Sequence, residues 1–235
     1  MDKKVYNLTN PQKNIWNIEK YYSGTSINNV GGSVYFKCPM DISVLQQAVA
    51  NVIANVDIFK LNFKIEGENI IQFFTDSQEQ YIPEVIELNS LSQLYPIEEQ
   101  MCQTPFAFES NNLFNCKIFK FSDNTAATVL IIHHIISDSW TVGLFCKQIV
   151  QEYLNLINSN NQIQYKYSYS DFIEKEQAYL SCPACENDKK YWDTVYETVP
   201  EAATIPGSIK KISSKISSIA DRPVSYTHLT LPTIA

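Results

Sequence analysis

The chain has 235 residues, of which 45% are hydrophobic and 18% charged, with a formal net charge of −7. That is enough apolar material for a large packed core in one or two domains, and the acidic balance excludes the basic footprint a nucleic acid would require. No apolar run approaches membrane-spanning length, and Met1 to Asn7 contains no apolar signal region, so the cytoplasm is the expected compartment and no membrane partner is expected.

Along the chain, Asn10 and Pro11 read as the cap and first position of a helix that carries Ile15 and Ile18 on one face. A strand follows from Gly31 to Cys38, ended by Pro39. Asp41 then caps a helix whose apolar positions Ile42, Leu45, Val49, Val52 and Val56 step by three and four, the spacing of a core-facing stripe. Leu61 to Glu66 and Asn69 to Phe74 read as two strands of a hairpin turning through Glu66, Gly67 and Glu68. A helical stretch from Ser92 to Gln103 precedes two more strands, Leu113 to Phe121 and Ala126 to Ile132, separated by a polar turn over Ser122 to Thr125. A second amphipathic helix carries Val142, Phe145, Ile149, Tyr153 and Leu156 and closes at Asn158 to Asn161, before a polar linker from Gln162 to Ser168.

Cysteines stand at 38, 102, 116, 146, 182 and 185. Without a secretion signal they read as reduced thiols. Cys182 and Cys185 have the spacing of half a zinc site, but no second pair and no neighbouring histidine would complete it, so no metal is expected. The chain has seventeen lysines and a single arginine, Arg222. The segment from Arg222 to Ala235 holds that arginine and the third histidine, His228. It resembles translated sequencing-adaptor sequence, and no fold or site expectation is attached to it.

The most informative stretch is Thr128 to Thr141. Ala126 to Ile132 is apolar without alternation, which predicts a central strand buried on both faces. Two adjacent histidines follow, His133 and His134, and alternation along the strand points them to opposite sides. Asp138 stands four residues after His134, in a turn that feeds the next helix. An imidazole with an ordinary pKa of about 6.5 can accept a proton at neutral pH, so this strand-to-helix junction is a candidate general-base site. A histidine pair satisfied in packing is the bland alternative.

Residues 133–138, followed by Ser139-Trp140-Thr141, resemble the His-His-x-x-x-Asp signature of nonribosomal peptide synthetase condensation domains, within the chloramphenicol-acetyltransferase-like acyltransferases. Thr9, Gln12 and Trp16 resemble the family's opening motif. Asp57, Phe59, Lys60 and Phe63 fit its second motif, although both of that motif's arginines are absent and Lys60 stands at the second. Ala107 departs from the usual Pro-Phe-Asp-Leu at Pro105 to Phe108. Tyr169 to Lys175 and the segment Tyr179 to Trp192 resemble the fourth motif and the helix after it. The resemblance spans Leu8 to Trp192.

The resemblance implies an α/β (α+β two-layer sandwich) fold, the N-terminal lobe of a two-lobe chloramphenicol-acetyltransferase-like domain over residues 1–200. Residues 201–221 are then a linker or the start of a second lobe, the Ser/Ile/Lys-rich part being Ile209 to Ile219, and 222–235 a non-native tail. It implies an acyltransferase that forms an amide between a carrier- or CoA-bound acyl thioester and a carrier-bound aminoacyl amine. His134 would face the reaction channel and orient or deprotonate the amine, with His133 held in packing. Asp138 would act either as a catalytic carboxylate or, the favoured role, as a structural one paired with Lys60. Ser139 replaces the usual glycine, and Trp140 is expected to pack. No cofactor is expected to bind directly, since substrates arrive on phosphopantetheine or CoA. The implied partners are carrier domains, a downstream adenylation domain and acyl-CoA.

Pro11 to Trp16 and Gly24 to Gly32 resemble starter-type domains that acylate a first residue, and with Met1 as the native start no upstream carrier is expected in the same chain. A free-standing CoA-dependent O- or N-acyltransferase and a non-catalytic partner-recruiting module are the competing readings. The lobe alone is expected to be inactive.

Overall fold

The apolar run ahead of the histidines forms β7 (Ala126–His133), and all eight of its residues are buried. It is an inner strand of a four-stranded sheet made with β2 (Asn29–Phe36), β5 (Glu84–Leu88) and β6 (Phe114–Phe121), in the order β2-β7-β6-β5. β7 runs antiparallel to both neighbours, and β5 is parallel to β6. The computed structural model describes residues 4–67, 69–75, 80–108, 112–158 and 168–198.

Alternation along β7 explains its double burial. Ala126, Leu130 and Ile132 pack with α2 (Ile42–Asn55) and α4 (Ser139–Ile157), whereas Ala127, Val129 and Ile131 pack with Leu94 and Met101 of α3 (Leu94–Gln103). Fully burying each such aliphatic side chain contributes roughly 1.5–3 kcal/mol. α3 thus adds helical cover on the face opposite α2 and α4. The close approach of β2 is set by Gly31, where a Cβ would lie 2.4 Å from the Leu130 carbonyl oxygen and 2.5 Å from Ile131 Cδ1.

α2 begins where the sequence places it. Asp41 accepts from the backbone N–H groups of Ser43 and Val44, and Leu45, Val49 and Val52 are wholly buried. The Tyr153 hydroxyl of α4 accepts from the Asp41 N–H at 3.0 Å, joining the two helices at that end. The hairpin of β3 (Leu61–Glu66) and β4 (Asn69–Phe74) is also as read, with Gly67 at φ +65° in its turn, a conformation glycine adopts without strain. β1 (Val5–Asn7) pairs with β4 to complete a three-stranded sheet.

Several boundaries differ from the sequence reading. α1 (Asn10–Tyr21) is capped by Thr9 and not Asn10. The Thr9 N–H donates to Gln12 Oε1 at 2.9 Å, half of a capping box. The buried residues of α1 are the polar Gln12 and Glu19, while Ile18 is 40% exposed, so this helix buries a polar face and not an aliphatic one. β2 starts at Asn29 and ends at Phe36, two residues ahead of the expected range at both ends. Val56 lies beyond α2 as its C-cap, and Leu156 is largely outside the core. Tyr179 to Trp192 is divided between α5 (Tyr169–Leu180) and α6 (Pro183–Val195), with the break at Ser181 and Cys182, because Pro183 suits a helix start and lacks the N–H that would continue α5.

The described residues divide into two units after Glu186, and in the second the Trp192 and Tyr196 rings stack at 5.7 Å. All six cysteines are free thiols. Burial pushes Cys102 and Cys146 up to about 11 and Cys116 higher still, so these three are poor nucleophiles. Among the described residues no helix is long and apolar enough to cross a membrane. The expected linker at 162–167, the stretch from Ile209 to Ile219, and the 222–235 tail with His228 lie outside the described residues.

Candidate active site

β7 ends at His133, and His134 opens a 3-10 turn through Ile136 before Asp138 caps α4. The two histidines therefore leave the strand in different surroundings.

His133 is 2% exposed. Its Nδ1 accepts the Ile135 N–H at 3.1 Å, so in the neutral ring the proton sits on Nε2 and is donated to Glu19 Oε2 at 3.2 Å. The same carboxylate oxygen accepts from Asn28 Nδ2 at 2.7 Å. The rings of Phe108 and Phe106 meet His133 edge-on, with centroids 4.8 and 6.4 Å away. Burial holds its pKa below the ordinary value and outweighs the opposing pull of Glu19. His133 is a neutral, fully hydrogen-bonded packing residue.

His134 is half-buried, and its backbone N–H donates to the Asn28 carbonyl at 2.7 Å. Its Nδ1 lies 2.6 Å from the Ser137 carbonyl oxygen, which can only accept, so Nδ1 carries the proton. In the neutral ring the Nε2 lone pair is then available, and no described residue hydrogen-bonds to it. A turn that fixes one ring nitrogen as donor and leaves the other as acceptor presents a base from a rigid mount.

Asp138 does not pair with Lys60. Its Oδ1 accepts from Thr141 N–H at 2.8 Å and from Thr141 Oγ1 at 2.7 Å, the geometry of an N-cap, and among the described residues no ion pair joins it to Lys60. Partial desolvation alone would push its carboxyl up. The two Thr141 hydrogen bonds and the neighbouring His134 outweigh that and hold it below the usual carboxylate range. The physical reason for the correction is local: an aspartate at the entry of a 19-residue helix finds unpaired N–H groups within its own next turn.

Trp140, expected to pack, is 75% exposed, because the buried face of α4 is set by Phe145, Ile149 and Tyr153 and lies on the other side of the helix. Ser139 is exposed beside it. A cavity of about 520 Å³ is lined by Glu19, Phe106 and Phe108 on the His133 side, and neither histidine lines it.

Three further residues support the turn, of which Glu19 and Asn28 do not stand out in the sequence and Gln12 belongs to the opening motif. Glu19 and Asn28 hold His133 and the His134 backbone, as above. Gln12 forms a reciprocal amide pair with the buried Gln72, both bonds 2.8 Å, and its Nε2 also reaches the Ile135 carbonyl at 3.3 Å. The Thr9-x-x-Gln12 spacing is a legible capping-box signal for Gln12. Nothing local marks Glu19. Asp57, by contrast, fits the second motif and has an evident structural role, since its carboxylate accepts the N–H groups of Tyr169 and Ser170 and so caps α5.

Fold and site together define a mixed α/β fold in which two histidines stand where a buried strand meets a 3-10 turn. A sequence model of the family described as "Condensation domain" matches residues 2–225, and the chain belongs to that family. Among curated relatives it is 25% identical over 212 residues to surfactin synthase subunit 1 of Bacillus subtilis (strain 168), covering 87% of this chain and 6% of that one. It is also 23% identical over 222 residues to bacitracin synthase 1 of Bacillus licheniformis, covering 88% and 4%. The starter condensation domain of rhizomide synthetase RzmA superposes with a TM-score of 0.77 at 18% identity, over 86% of this chain and 50% of that one. The first condensation domain of the CDA synthetase gives 0.71 at 17%, over 88% and 53%. The chain thus spans about half the length of these solved structures and under a tenth of the two synthases.

Proposed function

We propose that this chain is the N-terminal lobe of a two-lobe condensation domain, and that the complete domain joins an acyl thioester to an aminoacyl amine. The observation that carries the reading is the Nε2 of His134, to which no described residue hydrogen-bonds, fixed as an acceptor by the donation of Nδ1–H to Ser137 O. A neutral amine hydrogen-bonded to Nε2 has its lone pair aimed at the thioester carbonyl. As the C–N bond forms, the amine proton passes to Nε2. The tetrahedral oxyanion then collapses, the C–S bond breaks, and the thiolate leaves and takes up a proton. Such general-base help is worth about two to four orders of magnitude, and positioning of the amine by the same lone pair adds to it. Asp138 serves this site by capping α4 and holding the turn, with Ser139 and Trp140 on the first exposed turn of that helix and, among the described residues, no ion pair to Lys60. His133 supports the turn from within.

The donor and acceptor are proposed to arrive on phosphopantetheine arms of carrier domains or, for the donor, on CoA, with no cofactor held by the lobe itself. An adenylation domain is the expected downstream neighbour. A starter role, with acyl-CoA as donor, is supported by the stretches at Pro11 to Trp16 and Gly24 to Gly32. A solved RzmA starter domain is described in complex with C8-CoA and Leu-SNAC. Residues 1–200 are assigned to the lobe, 201–221 to a linker or the start of a second lobe, and 222–235 to a non-native tail. The genomic reading frame past Ile219 checks that assignment.

The test is amide formation by the complete two-lobe protein, with the acyl donor offered on CoA and on a carrier. Product is expected from the intact protein and none from these 235 residues alone. His134→Ala is expected to lose at least about 100-fold. An undiminished rate in that variant overturns the role of His134, and product from the carrier-bound donor alone overturns the starter role.

A further inference from the structure

The two buried residues of α1 stand seven apart, and both are polar. Two helical turns place them on one face. Gln12 reaches the Ile135 carbonyl and Glu19 reaches the His133 ring, so α1 grips the turn that mounts His134 at two points. Asn28 supplies a third: its side chain donates to Glu19, and its own carbonyl accepts the His134 N–H at 2.7 Å.

We propose that Glu19 is a positioning residue for the reaction, acting through His133 to set the aim of His134. The chain of hydrogen bonds runs in one direction. Glu19 Oε2 accepts from His133 Nε2–H, which leaves Nδ1 as an acceptor, and Nδ1 caps the Ile135 N–H that the 3-10 turn leaves unpaired. Were the imidazole to carry its proton on Nδ1, two donors would face each other across 3.1 Å and the turn would lose its inner support. Glu19 is 7% exposed, so an uncompensated carboxylate there would be costly, and its two donors give it a reason to be buried. It does not touch His134 and takes no proton in the reaction. Its part is to make one tautomer of His133 the ground state, which keeps the next residue's imidazole at a fixed angle.

This inference rests on the condensation reading only for its kinetic consequence, so the experiment has two arms. In the first, ¹⁵N NMR of the imidazoles and hydrogen exchange of the Ile135 amide are measured on this 235-residue chain at about pH 7. The Nε2–H tautomer of His133 is expected in the unmodified chain. Glu19→Gln, which keeps an acceptor oxygen without the charge, is expected to retain that tautomer. Glu19→Leu is expected to populate both tautomers and to speed exchange at Ile135 by at least about tenfold; if it does not fold, Glu19→Asp, which withdraws the carboxylate by one methylene, takes its place. An unchanged tautomer and unchanged exchange in a folded Glu19→Leu or Glu19→Asp overturn the proposal.

In the second arm the complete two-lobe protein is assayed. Misplacing a reacting group by an ångström costs up to about 100-fold, so Glu19→Leu is expected to lower kcat by about 10- to 100-fold with KM little changed, and Glu19→Gln to lose less. Equal kcat losses in the two variants, or a loss confined to KM, overturn the positioning role. No activity in any form, with the first arm positive, instead sinks the condensation reading and leaves the tautomer lock standing.

Discussion

Two neighbouring histidines leave the same strand for opposite regimes. On the α1 side His133 has both ring nitrogens engaged, two phenyl rings against it and 2% exposure. On the α4 side His134 has one nitrogen held by a carbonyl of its own turn and the other without a partner among the described residues. Full hydrogen bonding removes a histidine from acid–base work and makes it a fixture, whereas half satisfaction leaves a lone pair aimed outward at the cost of some exposure.

Breaking the pair should separate stability from activity. His133→Ala removes one of the two donors to the buried Glu19 carboxylate and opens a cavity beneath the turn, and is expected to cost roughly 2–4 kcal/mol of stability, read as a lowered denaturant midpoint. His134→Ala is expected to shift stability by under about 1 kcal/mol, since the ring is half-buried, while removing activity from the complete protein. Similar stability losses in the two variants would erase the contrast.

The strand beneath the pair offers a second contrast. Gly31→Ala would drive a Cβ into the Leu130 carbonyl and is expected to cost about 1–3 kcal/mol or more, because backbone cannot move aside as a side-chain tip can. Gly143→Ala on α4 meets nothing within 4 Å and is expected to stabilise by up to about 1 kcal/mol through helix propensity. Thermal melts of the two variants check both signs.

Acid should widen the gap between the histidines further. The folded pKa of His133 lies below its ordinary value of 6.5, so between the two values the unfolded chain binds more protons than the folded one. Stability from this group is therefore complete above about pH 6.5, falls as the pH drops below it, and levels off beneath the folded value. Denaturant titrations from about pH 7.5 to 5.5 are expected to show that slope in the unmodified chain and a shallower one in His133→Gln. Equal slopes would mean that His133 is not held neutral.

The smallest effect concerns the α4 cap. Asparagine caps nearly as well as aspartate, so Asp138→Asn is expected to cost under about 0.5 kcal/mol and Asp138→Ala about 1 kcal/mol. A double-mutant cycle between Asp138 and Lys60 is expected to give coupling within about 0.3–0.5 kcal/mol of zero; a larger value would restore the ion pair that the sequence resemblance implied.

What is legible in the sequence follows a physical line. β7, the α2 stripe, the Asp41 cap and the β3–β4 hairpin are readable because each is specified by residues within a few positions of one another, through periodicity, capping or turn chemistry. The spacing of His133, His134 and Asp138 is readable for the same reason, and with it the family. Asn10 reads as the cap of α1 in place of Thr9 because both residue types cap well; the Thr9-x-x-Gln12 spacing favours Thr9, and Gln12 is then held against Gln72. The Lys60 pairing was expected from the family's pattern and the packing of Trp140 from its residue type, and neither is dictated by the local sequence.

Short-range order in the chain therefore settles the elements, the location of the histidine pair and the family. Tertiary packing selects which histidine is locked and which is free. That choice depends on Glu19, 114 positions from His133, and on Gln12, 123 positions from Ile135. Hydrogen bonds across such separations leave no periodic trace in the chain. They exist only once α1 has packed against the end of β7, where burial makes each unpaired group costly enough that its partner is fixed.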